Sequence, residues 1–153
     1  MIAVGKRAPD FSLPSTLGKS ISLKDYAGKK IVLYFYPKDD TPGCTKEACS
    51  FQDHLSSLTR MGAVVLGVST DSLESHQKFA AKYKLRFPLL SDASRKVVER
   101  YGVWKEKSMY GRTFMGIERT TVLIDASGVI RHIFPKVKVD GHTAEVKQFL
   151  KEL

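Results

Sequence analysis

At 153 residues, 42% of them hydrophobic, the chain is long enough for one globular domain over residues 1–153 that buries its core without crosslinks. Its longest apolar runs, six to eight residues, fall far short of the ~20 that cross a bilayer, which excludes a spanning helix. The 25 basic residues outnumber the 16 acidic ones, giving +9, yet Lys and Arg are scattered singly and in pairs, and no helix-turn-helix, zinc-finger or RNP pattern accompanies them; the surplus reads as solvated surface, not as a nucleic-acid site.

Residues 1–7 show no basic segment leading into a long apolar core, so no secretory leader is read and a cytoplasmic location is expected. Phe11-Ser12-Leu13 and Ser20-Ile21-Ser22-Leu23 alternate around Leu17-Gly18, which predicts an amino-terminal hairpin that Pro9 and Pro14 confine to an edge. Lys24 to Gly28 reads as one helical turn ended by glycine. Ile31 to Tyr36 is an unbroken apolar run of strand length, expected to be buried on both faces of a sheet.

Pro37 ends that strand, and Asp39 to Gly43 is turn chemistry, with Thr41 placed to cap a helix and Pro42 suited to its first position. The apolar residues Cys44, Ala48, Phe51, Leu55 and Leu58 then recur at spacings of four, three, four and three, which predicts one helix lying on the sheet. Cys44 falls in its first turn. There the backbone amides lack intrahelical partners and the helix dipole is positive, and both favour negative charge on a sulfur. In a reducing compartment a cysteine pair is poor material for a crosslink and is catalytic, metal-binding or simply buried. A metal site needs about four ligands, and only His54 lies near, so neither metal nor cofactor is expected.

Further along, Ala63 to Ser69 is a second buried strand, and a strand, helix, strand sequence of this length implies a parallel pair. Asp71 with Glu74 reads as a capping box opening a helix whose stripe is Leu73, His76, Phe79, Ala80 and Tyr83, with His76 a packed histidine and not a ligand. Phe87 to Asp92 is a short extended segment, and Ser94 to Tyr101 a helix with Val97, Val98 and Tyr101 inward. Residues 102–118 show no periodicity but hold Trp104, Met109, Tyr110, Phe114 and Met115, and read either as a wall of the pocket or as an irregular layer of core. Thr120 to Ile124 and Val129 to Ile133 form a hairpin, and a last helix carries Val146, Phe149, Leu150 and Leu153 on one face.

The stretch Pro37-x-x-x-Thr41-x-x-Cys44, within Phe35 to Cys49, resembles the active-site motif of the peroxiredoxins, and the five-residue cysteine spacing resembles their Q-type, or bacterioferritin-comigratory-protein, branch. Tyr101 to Lys107, Met109 to Arg112 and Gly116 to Asp125 are similar to the same branch, in order, so the likeness spans nearly the whole chain. It implies an α/β thioredoxin-like fold, a central mixed sheet flanked by helices with an amino-terminal β-hairpin extension. It further implies a thiol-dependent peroxidase reducing hydrogen peroxide and organic hydroperoxides through a sulfenic acid at Cys44. By the same resemblance Cys49 resolves that acid as an intramolecular disulfide, thioredoxin or glutaredoxin reduces it, and the enzyme is a monomer.

The resemblance also places the active-site arginine at Arg119, which would otherwise read as a surface charge at a strand head. Thr41 would share its hydroxyl between cap and peroxide, and Pro37 and Pro42 would shield the pocket. Glu47, one turn past Cys44, either orients Arg119 and the turn or stands solvated. Two other readings stay open: a protein thiol–disulfide oxidoreductase, although those enzymes favour a gap of two residues and this chain has four, and a redox-inactive binding or chaperone-like module.

Five residues on one helix separate two Cα atoms by roughly 8.6 Å, whereas a disulfide tolerates at most about 7 Å. A bond between Cys44 and Cys49 therefore requires the helix to unwind locally. Circular dichroism should show less helix in the disulfide form than in the reduced protein, and identical spectra would mean that the bond forms on an intact helix.

Overall fold

Each of the five residues from Ile31 to Phe35 is buried, because the strand they form, β3 (Lys30–Phe35), is the middle one of a five-stranded sheet. The structure is a computed structural model describing residues 2–153; Met1, the first residue of the segment read for a leader, lies outside the described residues. On one side of β3 runs β4 (Ala63–Ser69), parallel to it with Val32 opposite Val65, and then β5 (Leu89–Ser91), parallel to β4. On the other side β8 (Thr120–Ile124) is antiparallel, with Phe35 opposite Thr120, followed by antiparallel β9 (Ile130–Phe134). The order β5-β4-β3-β8-β9 is a mixed sheet, and helices cover it.

Alternation along these strands feeds two cores. Val32, Tyr34, Val65, Leu89 and Leu123 pack with Ala48, Phe51, Leu58, Phe79, Val146 and Leu150 from the helices. Leu33, Phe35, Leu66, Val68 and Val122 point the other way, onto Val97, Val98 and Tyr101 and the amino-terminal hairpin of β1 (Ser12–Pro14) and β2 (Ser20–Ser22). In that hairpin Leu13 stands opposite Ile21, and a bridge from Ser15 to Leu90 ties it to the edge of the sheet. One 3-10 turn (Leu23–Tyr26) leads into β3, as the sequence suggests.

The predicted helix through Leu58 is two helices, α1 (Pro42–Asp53) and α2 (Leu55–Arg60). His54 interrupts it: its Nδ1 donates to the Ser50 carbonyl at 2.9 Å, the same oxygen that its own backbone N–H needs. The next helix, α3 (Leu73–Tyr83), is capped by Ser72, whose hydroxyl accepts from the Ser75 amide at 3.1 Å. Asp71, expected there with Glu74, is drawn away by the Asp39 amide and the Ser69 hydroxyl, which donate to it at 2.8 and 2.6 Å. The helices α4 (Lys96–Arg100) and α5 (His142–Leu150) bury the apolar residues expected of them, Val97 with Val98 and Val146 with Leu150.

Residues 102–118 are not an irregular layer of core. They form a two-stranded hairpin, β6 (Trp104–Met109) and β7 (Arg112–Ile117), with Met109, Tyr110, Phe114 and Met115 exposed, Tyr110 to 97%. Tyr110 and Gly111 both have positive φ, 52° and 75°, the two-residue turn that suits the twist of paired strands. Neither face of its outer half is buried, so no period of two is written into the sequence.

Gly67 in β4 is fixed by packing: a Cβ there would lie 2.9 Å from the Tyr34 hydroxyl and from Leu89 Cδ2. Gly67→Ala is expected to destabilise the fold by about 1–3 kcal/mol in urea denaturation, the range for overpacking a core. Unchanged stability would mean that Tyr34 and Leu89 have room to retreat.

Candidate active site

Beyond β3 the chain must turn sharply to begin α1, and buried polar contacts fix that turn. Asp39 accepts from the Tyr36 hydroxyl at 2.6 Å, from the Ser75 hydroxyl at 2.8 Å and from His76 Nδ1 at 2.7 Å, while the other His76 nitrogen donates to the Leu90 carbonyl at 2.9 Å. Strand β5, helix α3 and the turn are thereby stitched together. Asp40, at φ 55°, is held from outside by Lys82 at 2.8 Å and Tyr83 at 2.9 Å. Asp39, Asp71 and His76 bring ligand-type atoms within 4.8 Å of one another, but these atoms are already partnered in the hydrogen bonds just described. The sequence showed Asp39 and Asp40 only as turn chemistry; apart from Tyr36, the residues they bond to lie 32 to 43 positions away.

Thr41 is the N-cap residue of α1, yet its hydroxyl makes no capping bond and donates instead to the Lys38 carbonyl at 2.9 Å. The expected cap is therefore corrected. Pro42 occupies the first helical turn, and the first backbone bond of α1 runs from the Thr45 amide to the Thr41 carbonyl at 2.8 Å. Pro37, half-buried, closes the strand side of the turn.

Cys44 is buried in that first turn, 2% exposed. Its sulfur accepts from Arg119 Nη2 at 3.3 Å, and Nη1 of the same guanidinium donates to Glu47 Oε1 at 2.7 Å. Arg119 precedes β8, whose first residue pairs with the last of β3, so the sheet register carries a residue 75 positions away to the start of α1. Gly43 makes room for it: a Cβ there would be 3.2 Å from Nη2. Glu47, 1% exposed, is not solvated. Burial pushes its carboxyl up to about 7 against the pull of Arg119, and its second oxygen has no partner among the described residues. Burial also works against the Arg119 charge, but Glu47 and the Cys44 sulfur more than offset it and hold the guanidinium above its ordinary range.

Cys49 lies on the same unbroken α1, half-buried, and both thiols are free. Burial, and then the negative charge of Asp53, raise its pKa above the ordinary thiol value. A cavity of about 240 Å³, lined by Arg7, Leu23, Tyr26, Ile31 and Asp125, opens at the other end of β3 and takes no part in this cluster.

A buried cysteine at a helix start, bonded to a half-buried arginine on a mixed sheet of this order, defines a thiol enzyme of thioredoxin-like fold. Residues 4–133 match the model of the AhpC/TSA family. The putative peroxiredoxin bcp of Coxiella burnetii is 59% identical over 145 residues, covering 95% of this chain and 96% of the relative. Peroxiredoxin Bcp of Bacillus subtilis is 50% identical over 152 residues, covering 99% and 97%. Among solved structures, a cysteine-to-serine mutant of Xylella fastidiosa PrxQ superposes with a TM-score of 0.94 at 38% identity, covering 99% of this chain and 97% of its own. The bacterioferritin comigratory protein of Xanthomonas campestris, described for its alkyl peroxide reduction activity, gives 0.88 at 42%, covering 93% and 90%. The chain belongs to the AhpC/TSA family, as a peroxiredoxin of the Bcp, or Q, type and hence a thiol peroxidase.

The raised Glu47 carboxyl sets a pH dependence of stability. In the folded protein it keeps its proton up to about 7, whereas in the unfolded chain it has released it above ~4.3. The native state thus binds the extra proton between those values, so this contribution to stability falls as pH rises through the window and levels off above it. The change is of order 3–4 kcal/mol. Urea denaturation of reduced wild type and Glu47→Gln should differ by this pH-dependent amount between pH ~4.5 and ~8, and parallel curves would show that the carboxylate is charged throughout.

Proposed function

We propose that Cys44 is the sulfur that attacks the hydroperoxide, in the same reaction on hydrogen peroxide and on organic hydroperoxides. The observation that carries this reading is the Arg119 guanidinium bridging the Cys44 sulfur and Glu47. Sulfur takes one peroxide oxygen, the O–O bond breaks, and Cys44 becomes a sulfenic acid as water or an alcohol leaves. Ionisation of a cysteine is a small part of such a rate: a free thiol is about 3% thiolate at pH 7, so full ionisation adds at most ~30-fold, or about 2 kcal/mol. Geometry has to supply the rest. The backbone amides of Gly43 and Cys44, at a helix start with no intrahelical acceptor, and Arg119 Nη2 supply fixed donors for developing charge. With its own proton given to Lys38, the Thr41 oxygen keeps lone pairs to accept from the peroxide O–H. Glu47 holds Arg119 in place, and Pro37 shields the turn.

Cys49 is the resolving thiol in this scheme. Its raised pKa and the intact α1 both retard its reaction while the helix is wound, so the disulfide waits for local unwinding. Thioredoxin, with glutaredoxin as a substitute, would then reduce the bond. The chain would act as a single domain and a monomer in the cytoplasm; no helix among the described residues is long and apolar enough to cross a membrane.

Peptide mass spectrometry after one equivalent of hydrogen peroxide tests the cycle. Wild type should give a peptide crosslinked between Cys44 and Cys49, Cys49→Ser should stop at Cys44 sulfenic acid, and Cys44→Ser should leave peroxide unconsumed. Sulfenic or sulfinic acid persisting in wild type would instead indicate a cycle run by one cysteine.

A further inference from the structure

Peroxide attack needs α1 wound, because its first turn holds the Cys44 sulfur against Arg119, whereas the disulfide needs α1 unwound. Contacts that fasten α1 to the rest of the fold therefore set how readily one state gives way to the other. These contacts are not equal. Lys46 pairs with Asp140, but both are largely exposed, and an ion pair in water holds little. Glu47 holds Arg119 and belongs to the reacting cluster. Gln52 accepts from the Arg86 amide at 2.6 Å in an exposed contact beyond Cys49.

Ser50, the residue after Cys49, makes a contact of another kind: its hydroxyl and that of Thr143 share a hydrogen bond at 2.6 Å. Thr143 is almost fully buried in the first turn of α5, and that turn stands on fixed ground. Its neighbour His142, equally buried, is bonded through Nε2 to the Thr121 hydroxyl at 2.8 Å, and Thr121 lies in β8 opposite Tyr34 of β3. The rings of Phe51, which follows Ser50, and His142 meet edge to face with centroids 6.1 Å apart. The start of α5 is thus a post set in the central sheet, and α1 is fastened to it at the position next to Cys49. Among the described residues neither hydroxyl bonds to Cys44, Glu47 or Arg119, so the contact lies outside the reacting cluster.

We propose that the Ser50–Thr143 hydrogen bond is a clasp that holds Cys49 on the wound helix and gates its attack on Cys44. The proposal rests on Cys49 being the resolving thiol, and Thr143 is a positioning residue of that step. Moving the Cys49 backbone toward Cys44 carries the adjoining Ser50 with it and draws the serine hydroxyl off Thr143. Once the clasp is open, the Cys49 thiolate attacks the sulfur of the Cys44 sulfenic acid. The S–S bond forms, the S–O bond breaks, and the hydroxide takes up the proton that Cys49 released, leaving as water. The Cys49 sulfur is oxidised and the Cys44 sulfur reduced, both to the disulfide level. Two uncharged hydroxyls suit a contact that opens in every cycle, since breaking a buried ion pair costs far more.

Rapid-quench alkylation separates the two chemical steps. Reduced protein mixed with hydrogen peroxide and quenched into N-ethylmaleimide carries a label on both cysteines if unreacted, on Cys49 alone once Cys44 is sulfenic acid, and on neither after the disulfide has closed. Thr143→Val, which keeps the shape and loses the hydroxyl, should close the disulfide about fivefold faster than wild type, the factor that one hydrogen bond represents, and leave Cys44 oxidation within about twofold. Thr143→Ala should act as valine does, and Thr143→Ser, which keeps the hydroxyl, should return the wild-type rate. In a Ser50→Ala background Thr143→Val should add nothing, because the bond is already gone. Unchanged closure in both Thr143→Val and Thr143→Ala, serine as fast as valine, an equal change in both steps, or a further gain in the Ser50→Ala background would each overturn the clasp. Wild type that keeps a labelled Cys49 and never closes the disulfide would overturn the Cys49 reading along with this one.

Discussion

One guanidinium stands between two groups of the same helix face, the Cys44 sulfur and the Glu47 carboxyl, and the architecture around them follows from keeping it there. Three residues apart on α1, both groups are almost fully buried. A buried anion is costly unless it is paired, and a buried cation likewise. Arg119 answers both through two nitrogens of one rigid fork. A lysine would offer a single charged atom and no such fork. That is why the head of β8 has to meet the end of β3, and why position 43 is a glycine against which the guanidinium rests.

The turn bearing Thr41 is held by a separate set of bonds. Asp39 and His76 link the turn to α3 and, through the Leu90 carbonyl, to β5, with Tyr36 and Ser75 completing the coordination of the carboxylate. Their effect is mechanical: a loop of polar residues acquires the fixity of the sheet edge it is tied to, so the helix start is aimed before any substrate arrives.

Much of this was legible from residues alone, where the signal was local. The apolar run of β3, the period of α1 and the proline at its first turn placed Cys44 at a helix start, and resemblance singled out Arg119, which no local rule distinguishes among so many cations. What escaped the sequence depended on partners far along the chain. Thr41 and Asp71 both look like helix caps, and both spend their bonding elsewhere, Thr41 on Lys38 and Asp71 on Asp39 and Ser69. The burial of Glu47 follows from Arg119 arriving above it, which periodicity does not encode. The β6–β7 hairpin was hidden because an alternating pattern is written only where one face is buried.

The interruption at His54 has its own bearing on how α1 behaves. Helical segments melt cooperatively, and a break in the ladder of backbone bonds marks where one melting unit ends and the next begins. Disorder that begins at Pro42 therefore meets a boundary after twelve residues, before Leu58, which anchors α2 in the core. The reactive end of the molecule is free to lose its shape and regain it while the remainder of that layer keeps its grip on the sheet.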